Sequence, residues 1–349
     1  MAHPIGWHDE DIFAHQVECT NDCAPVASRA MIGPTALQHE KEPTLAIPTR
    51  PLGNTGEQVS LLGLGGAHIG GRGTPLDEAI RIVHEAIDSG VTFLDNAWEY
   101  NNRESERRMG MALAQGGYRA KAFLMTKDCA HDRVAVHSME KLEESLAMLQ
   151  TDYLDLWQIH EVVWDQDPDR IFAPGGSAEA MLKAKEQGKV RYIGFTGHKH
   201  PDIHRRMLEQ GFPWDAVQMP LNVLDAHYAS FEQEIVPLCQ AQGIAVIGMK
   251  SNAGGHLRDT GADISPEEAL RYALGLPIAT LVSGMDTLEI LRKNIAVANN
   301  FAPLTDDERA ALLARSAPHA EGAVAEPFKS TRKFDAAPGR IANGYPVNG

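Results

Sequence analysis

The chain has 349 residues, 43% of them hydrophobic and 23% charged, enough apolar content for one large globular core or two smaller ones. Its formal net charge of −15 argues against a nucleic acid or an anionic membrane surface as partner. No stretch reaches the ~18 consecutive apolar residues of a membrane span.

The opening MAHPIGWHDEDIF has neither a basic n-region nor an apolar h-region, which predicts no signal peptide and a cytoplasmic location by default. Residues 1–48 show no sustained periodicity and are expected to be an irregular extension. Within it, Cys19 and Cys23 read as two isolated loop cysteines, with a disulfide or half a metal site as the alternative. Regular alternation then begins. VSLLGLGG (59–66) is an apolar run ended by glycines. The helix at 74–90 has Thr74 as candidate N-cap, Pro75 at its first position and Gly90 just past its end. VTFLD (91–95) is a strand and 104–117 a helix; 121–127 is a strand and 134–150 a helix with a Leu142, Leu146, Leu149 stripe. Strand and helix continue at 153–160 and 178–188, at 190–197 and 200–211, and at 215–222 and 231–243. The last two pairs lie at 244–250 with 265–275 and at 278–284 with 287–301. Cys129 and Cys239 fall inside periodic segments as buried thiols.

Eight strand–helix pairs with uniformly apolar strands suit a parallel sheet covered on both faces. Eight repeats in about 250 residues predict a (β/α)8 TIM barrel over residues 49–315. No G-x-G-x-x-G follows a strand, so an open dinucleotide-binding sheet lacks its signature. The tail, 316–349, is expected to wrap the surface or cover a barrel end.

Active sites of such barrels lie at the C-terminal ends of the strands. There the second strand ends in Asp95, the third in Lys127, the fourth in His160 and the fifth in Thr196; the sixth carries Gln218 and the seventh ends in Lys250. Tyr100 overhangs from the second loop. A phenol titrates near 10; a cationic lysine beside it lowers that value, and Asp95 keeps the lysine charged and oriented. With His160 as a second hydrogen-bonding group, the set suits proton transfer to an oxygen as hydride arrives at its carbon, or the reverse. Trp98, in the same loop, is a candidate substrate wall, as is Trp164 in the long 161–176 loop, whereas Trp157 alternates away from His160. His198, His200 and His204 are spaced like zinc ligands, but without a nearby cysteine or acid triad they fit a polar loop opening a helix. No metal is expected; His198 is kept as a pocket candidate.

RPLGNTGEQVSLLGLGG, VTFLDNAWEYNNRESERRMGMAL, LEESLAMLQTDYLDLWQIH, GKVRYIGFTGH, DAVQMPLN and SGMDTLEILRKN, in that order, resemble the aldo-keto reductase superfamily over about residues 50–305. The resemblance implies a (β/α)8 barrel and a nicotinamide cofactor, NADP(H) or NAD(H), extended across the barrel mouth. It also implies a tetrad of Asp95, Tyr100, Lys127 and His160, in which Tyr100 is the general acid/base, Lys127 lowers its pKa, Asp95 supports Lys127 and His160 orients the carbonyl. The implied cofactor contacts are Gly66, Thr196, Gly197, Gln218, Leu221, Asn222, Lys250, Ser283, Gly284, Asp286 and Asn294. Gly197 stands where the family has an asparagine for the carboxamide, and Leu221 where an aromatic stacks on the nicotinamide ring. Gly284 and Ile290 replace the Lys and Arg that hold a 2′-phosphate. Asp286 repels that phosphate and accepts from a 2′-hydroxyl, so NADH and NADPH stand close, with Arg292 and Lys293 as compensating cations. The implied activity is a carbonyl–alcohol oxidoreductase acting on a small aldehyde, ketone or sugar, with homo-oligomerisation open. The alternatives are a redox-neutral enzyme recycling a tightly held cofactor, a cofactor-sensing barrel with vestigial catalysis, and a Schiff-base aldolase using Lys127.

Overall fold

The computed structural model describes residues 47–342 and 344. The expected extension therefore lies outside the described residues, apart from Ile47 and Pro48, and so do Cys19 and Cys23. Eight parallel strands close into a barrel: β1 (Leu62–Gly65), β2 (Phe93–Asp95), β3 (Phe123–Asp128), β4 (Leu154–Ile159), β5 (Val190–Thr196), β6 (Ala216–Pro220), β7 (Ala245–Met249) and β8 (Thr280–Gly284), with β8 paired to β1.

The period-two alternation of strand side chains sorts the core into two layers. Phe93, Phe123, Met125, Leu156, Ala216 and Ile247 fill the barrel interior with Leu52 and Val59. Leu94, Leu124 and Trp157 point outward into the shell shared with helix residues such as Ile82, Val83 and Leu142. Counting two residues on from Phe93 gives Asp95, and two on from Met125 gives Lys127. The inward face that buries hydrophobes at the strand starts thus delivers an acid and a lysine at the mouth.

Some elements differ from the sequence expectation. The strand expected over 59–66 is broken at Leu61: Gln58–Ser60 pairs antiparallel with Thr49–Pro51 in a hairpin, and only Leu62 onward enters the barrel. Ser60 explains the corner, because its hydroxyl donates to Leu62 O and accepts from the N–H groups of Thr92 and Phe93. The first barrel helix spans Leu76–Asp88 with Pro75 as its N-cap; the Thr74 hydroxyl faces the carbonyls of His68 and Asp286 instead of capping it. The helix expected over 231–243 is split into Phe231–Glu234 and Val236–Gln242, since Pro237 donates no hydrogen bond. The long fourth loop holds a short helix, Asp167–Ile171, tied down by the buried Arg133–Asp167 pair.

A helix at Asp306–Ser316 opens on a reciprocal Thr305/Glu308 capping box, a signal readable in T-D-D-E. Beyond it the tail crosses the mouth and is tied to loops that follow three strands. After β6, Asn222 Nδ2 donates to Glu326 and the Lys329 ammonium donates to Asp225 at 2.7 Å. After β5, His198 Nε2 donates to Phe334 O, and Lys199 pairs with Asp335. After β3, Arg340 donates to His131 O. No helix among the described residues is long and apolar enough to cross a membrane.

Candidate active site

Chain direction after β2 brings the phenol back over the barrel. Tyr100 N–H closes a turn on Ala97 O, and Asn101, Asn102 and Arg103 all take left-handed φ values of 52° to 71°. Three consecutive non-glycine residues in that region store strain, which persists only where surrounding contacts over-determine it. Here Asn101 Nδ2 donates to Ala67 O and Ser105 Oγ, and the Arg108 guanidinium clamps the carbonyls of Ile69 and Thr74.

Lys127 is 1% exposed. Its ammonium donates to Asp95 Oδ1 at 2.5 Å, to Asn96 O at 2.7 Å and to the Tyr100 hydroxyl at 3.2 Å. The other Asp95 oxygen accepts from Gln218 Nε2 at 2.7 Å. All three donor sites of the ammonium and both oxygens of the acid are thus engaged, the condition under which a buried ion pair holds its charges. His160 stands edge-on to Tyr100, ring centroids 5.6 Å apart. The four residues expected to act together are brought together.

The electrostatics differ from the simple expectation. Burial pushes the Tyr100 phenol well above its ordinary value, and the charges of Asp95, Glu161 and Glu99 push the same way. Because Asp95 neutralises Lys127 at contact distance, the lysine does not reverse this direction, and Tyr100 stands as a protonated donor. Burial likewise pulls His160 down to about 4, against the opposing pull of Glu99.

Two cavities open on Tyr100. One, of about 430 Å³, is bounded by Asp95, Tyr100, Gln218, Lys250, Ser283 and Gly284, and by Ser251 and Asn252. The other, of about 490 Å³, is bounded by Trp98, Glu99, Tyr100, Asn101, Glu161 and Lys333. Phe334 from the tail borders both.

The remaining candidates are placed elsewhere. Gly66 gives the backbone room: a Cβ there meets Asp95 O at 2.6 Å. Thr196 is buried at the end of β5, and Gly197 has no space for the asparagine of the family pattern, since a Cβ meets Val162 O at 2.4 Å and the His204 ring at 2.7 Å. Leu221 is buried in the outer shell. Asn222 is spent on the tail and on the N–H groups of Leu224 and Asp225. Asn294 supports the first cavity from behind by donating to Ser283 Oγ, and Asp286 lies beyond its edge. Arg292 pairs with Glu85 and Lys293 with Glu289. Trp98 walls the second cavity, its indole N–H on Glu144 and the Lys141 ammonium over its ring. Trp164 does not reach either cavity; the Arg332 guanidinium covers it. The three histidines of GHKHPDIH do three separate jobs. His198 holds the tail, His200 caps a helix, and His204 packs against Phe195 and Phe231.

Sequence reasoning missed Glu99, His131, Glu161 and Phe334. Glu161 and Lys250 carry left-handed φ values of 47° and 58°, turning sharply after their strands at the mouth. Glu99 had a signal: an acid directly before the loop tyrosine, within reach of the strand-end histidine.

Known proteins share this sequence pattern and fold. The Aldo/keto reductase family model matches residues 61–269. Aldo-keto reductase YhdN of Bacillus subtilis is 33% identical over 195 residues, 53% of this chain and 54% of that one, so the match spans about half of that relative's length. L-galactose dehydrogenase of Arabidopsis thaliana is 27% identical over 75% of this chain and 91% of its own. Among solved structures, the holo form of aldo-keto reductase AKR11C1 from Bacillus halodurans superposes with a TM-score of 0.65 at 26% identity, covering 77% of this chain and 96% of that one.

Proposed function

We propose that this chain, which belongs to the aldo/keto reductase family, is a carbonyl–alcohol oxidoreductase that uses a nicotinamide cofactor, with Tyr100 moving the proton. The observation that carries this is the locked Asp95–Lys127–Tyr100 chain at 2.5 and 3.2 Å, opening on a cavity with a built acceptor. Gln218 Oε1 is buried there without a partner. It suits a carboxamide N–H, while Ser283, Gly284, Lys250 and Ser251 line the same cavity. A Cβ on Gly284 meets the ring of the exposed His68, so glycine lets that side chain lie against the wall of the cavity. When bound, the cofactor supplies or accepts a hydride.

The chain's own residues do the rest. The Tyr100 phenol, kept protonated by burial, donates to a substrate oxygen and takes the proton back in the reverse direction. Lys127 stabilises the negative charge that develops as the proton leaves, and Asp95 keeps the ammonium fixed. His160 holds the oxygen side of the substrate, and Trp98 and the Phe334 ring wall the space. Arg292 and Lys293 are both engaged with acids, and Asp286 follows two residues after the cavity-lining Gly284, which supports NAD(H) over NADP(H). A small carbonyl or alcohol in the cytoplasm is the proposed substrate.

A second reading has one observation in its favour. The tail is fastened across the mouth and Phe334 borders both cavities, as suits a cofactor retained and recycled between two substrates. Cofactor that stays with the protein through gel filtration supports that reading; cofactor that exchanges freely removes it.

Tyr100→Phe tests the assignment. The variant is expected to lose about 10²–10⁴-fold in kcat while binding cofactor as the wild type does, read by quenching of tryptophan fluorescence. A variant turning over at the wild-type rate contradicts the role given to Tyr100.

A further inference from the structure

The histidines of GHKHPDIH do not converge, but a different set of metal-type donors does. Cys129 and His131, one residue apart on the loop after β3, are each 0% exposed. Glu99, on the loop after β2, places its Oε2 3.0 Å from His131 Nε2. One oxygen of Glu99, the Cys129 sulfur and a ring nitrogen of His131 all lie within 4.8 Å of one another. Ligands on a tetrahedral zinc ion, with bonds of about 2.0–2.3 Å, stand roughly 3.3–3.8 Å apart, so the three donors are close to ligating separation. The surroundings favour a cation. A Glu161 oxygen lies within 4.8 Å of a Glu99 oxygen, and Glu161 Oε2 is buried without a hydrogen-bond partner. Among the described residues no lysine or arginine forms an ion pair with either carboxyl; Lys127 is committed to Asp95 and Arg133 to Asp167. The tail roofs the donors, with Gly339 lying where a Cβ would meet both Glu99 Oε2 and His131 Nε2.

We propose that Glu99, Cys129 and His131 bind a zinc ion through Oε2, Sγ and Nε2, with the fourth position towards the second cavity, which Glu99 borders. Donor chemistry selects the ion. A thiolate, an imidazole and a carboxylate suit zinc, whereas magnesium and calcium take oxygen ligands. The charges also close. The Cys129 thiol releases its proton to solvent as the zinc–sulfur bond forms, giving up its weak contact with Lys127 O at 3.6 Å. Thiolate and carboxylate then balance the doubly charged ion, and the imidazole enters neutral. A centre without net charge is held among buried side chains where an isolated charge is not. His160 stays outside the ligand set, because the ion takes Oε2 and leaves Oε1, the oxygen 2.8 Å from His160 Nδ1. The ion ties the loop after β2 to the loop after β3 beside Tyr100. Arg340 of the tail, donating to His131 O, steadies the loop that carries two of the three ligands.

The test uses the full chain, stripped of metal with a chelator and titrated with Co2+ as a spectroscopic stand-in for Zn2+. One equivalent is expected to give a sulfur-to-cobalt charge-transfer band and the intense visible bands of four-coordination. Zn2+ is expected to displace the cobalt and to raise the melting temperature, whereas Mg2+ does neither. Cys129→Ser is expected to lose the charge-transfer band. Zn2+ affinity, read by competition with a chromophoric chelator, is expected to fall in Cys129→Ser, His131→Gln and Glu99→Gln. Each loss is at least the roughly 10–100-fold that removal of an outer-shell partner costs, and circular dichroism checks that each variant folds. The chain has four cysteines, so the variant Cys19→Ser/Cys23→Ser/Cys239→Ser leaves Cys129 alone. It is expected to keep the charge-transfer band, which assigns the sulfur even where a ligand variant does not fold. A wild type without that band, loss of the band in the folded triple variant, or wild-type Zn2+ affinity in a folded variant of any of the three ligands overturns the proposal. These readouts need no turnover, so they are decided separately from the effect of Tyr100→Phe.

Discussion

Lys127→Met removes the cation at the centre of the site and keeps most of its apolar stem. The consequence follows from what Lys127 touches. Asp95, 2% exposed, keeps only Gln218 Nε2 as partner, and Asn96 O loses its side-chain donor. At an effective dielectric near 20, contact charges attract by roughly 4 kcal/mol or more, though desolvation of both ions offsets much of this when the pair forms. Removing one partner is asymmetric, because the desolvated carboxylate stays behind, and typical losses are about 3–5 kcal/mol. For a chain of this size each kcal/mol moves the melting temperature by about 1–2 °C, so a fall of roughly 3–10 °C is expected by differential scanning calorimetry. The double variant Asp95→Asn/Lys127→Met removes the stranded charge and is expected to recover most of the melting temperature but none of the kcat. A single variant that melts within about 2 °C of the wild type refutes the buried pair as the organising interaction. A double variant as active as the wild type refutes Lys127's part in the chemistry.

The tail gives a prediction with a pH signature. Lys329 donates to Asp225 and pairs with Glu326 at 2.9 Å, all three fully or almost fully buried, so Lys329→Met is expected to cost about 3–5 kcal/mol at pH 8. Burial raises Asp225 to about 7, with Lys329 opposing, against about 3.9 when unfolded. The folded state therefore binds the proton more tightly, and this group's contribution is fully present below about pH 4 and lost as pH rises towards 7. Without Lys329 that loss is steeper, so the difference in melting temperature between variant and wild type is expected to grow from pH 5 to pH 8; a pH-independent difference contradicts the network. At the other end of the mouth, Asp286→Ala is expected to shift the NADPH/NADH ratio of kcat/KM towards NADPH. An unchanged ratio removes Asp286 from cofactor choice.

The barrel was legible because its signal is repeated. Eight apolar runs alternating with helical stripes fix strand count and direction, and period two then places Asp95 and Lys127 inward at the mouth. What escaped were features set by contacts between distant parts of the chain. Ser60 bends a run that is apolar on both sides of it, Pro237 breaks a helix whose periodicity continues through it, and Gly197 is dictated by Val162 O and His204. The tail had no apolar stripe to announce its path. It is held by single polar contacts to Asn222, Asp225, His198 and Lys199, residues that local sequence assigns to loops or, for Asn222 and His198, to ligand contacts. The direction of the Tyr100 shift escaped for a related reason: pairing residues by motif counts Lys127, but not the surrounding burial or the charges of Glu99 and Glu161.

Transfer of deuterium from C4-deuterated nicotinamide cofactor to an aldehyde tests the central claim most directly. With purified protein and glyceraldehyde, mass spectrometry of the product is expected to show one deuterium on the former carbonyl carbon, at a rate about 10²–10⁴-fold lower in Tyr100→Phe. Alcohol formed without deuterium, or label incorporated equally fast by Tyr100→Phe, contradicts the account.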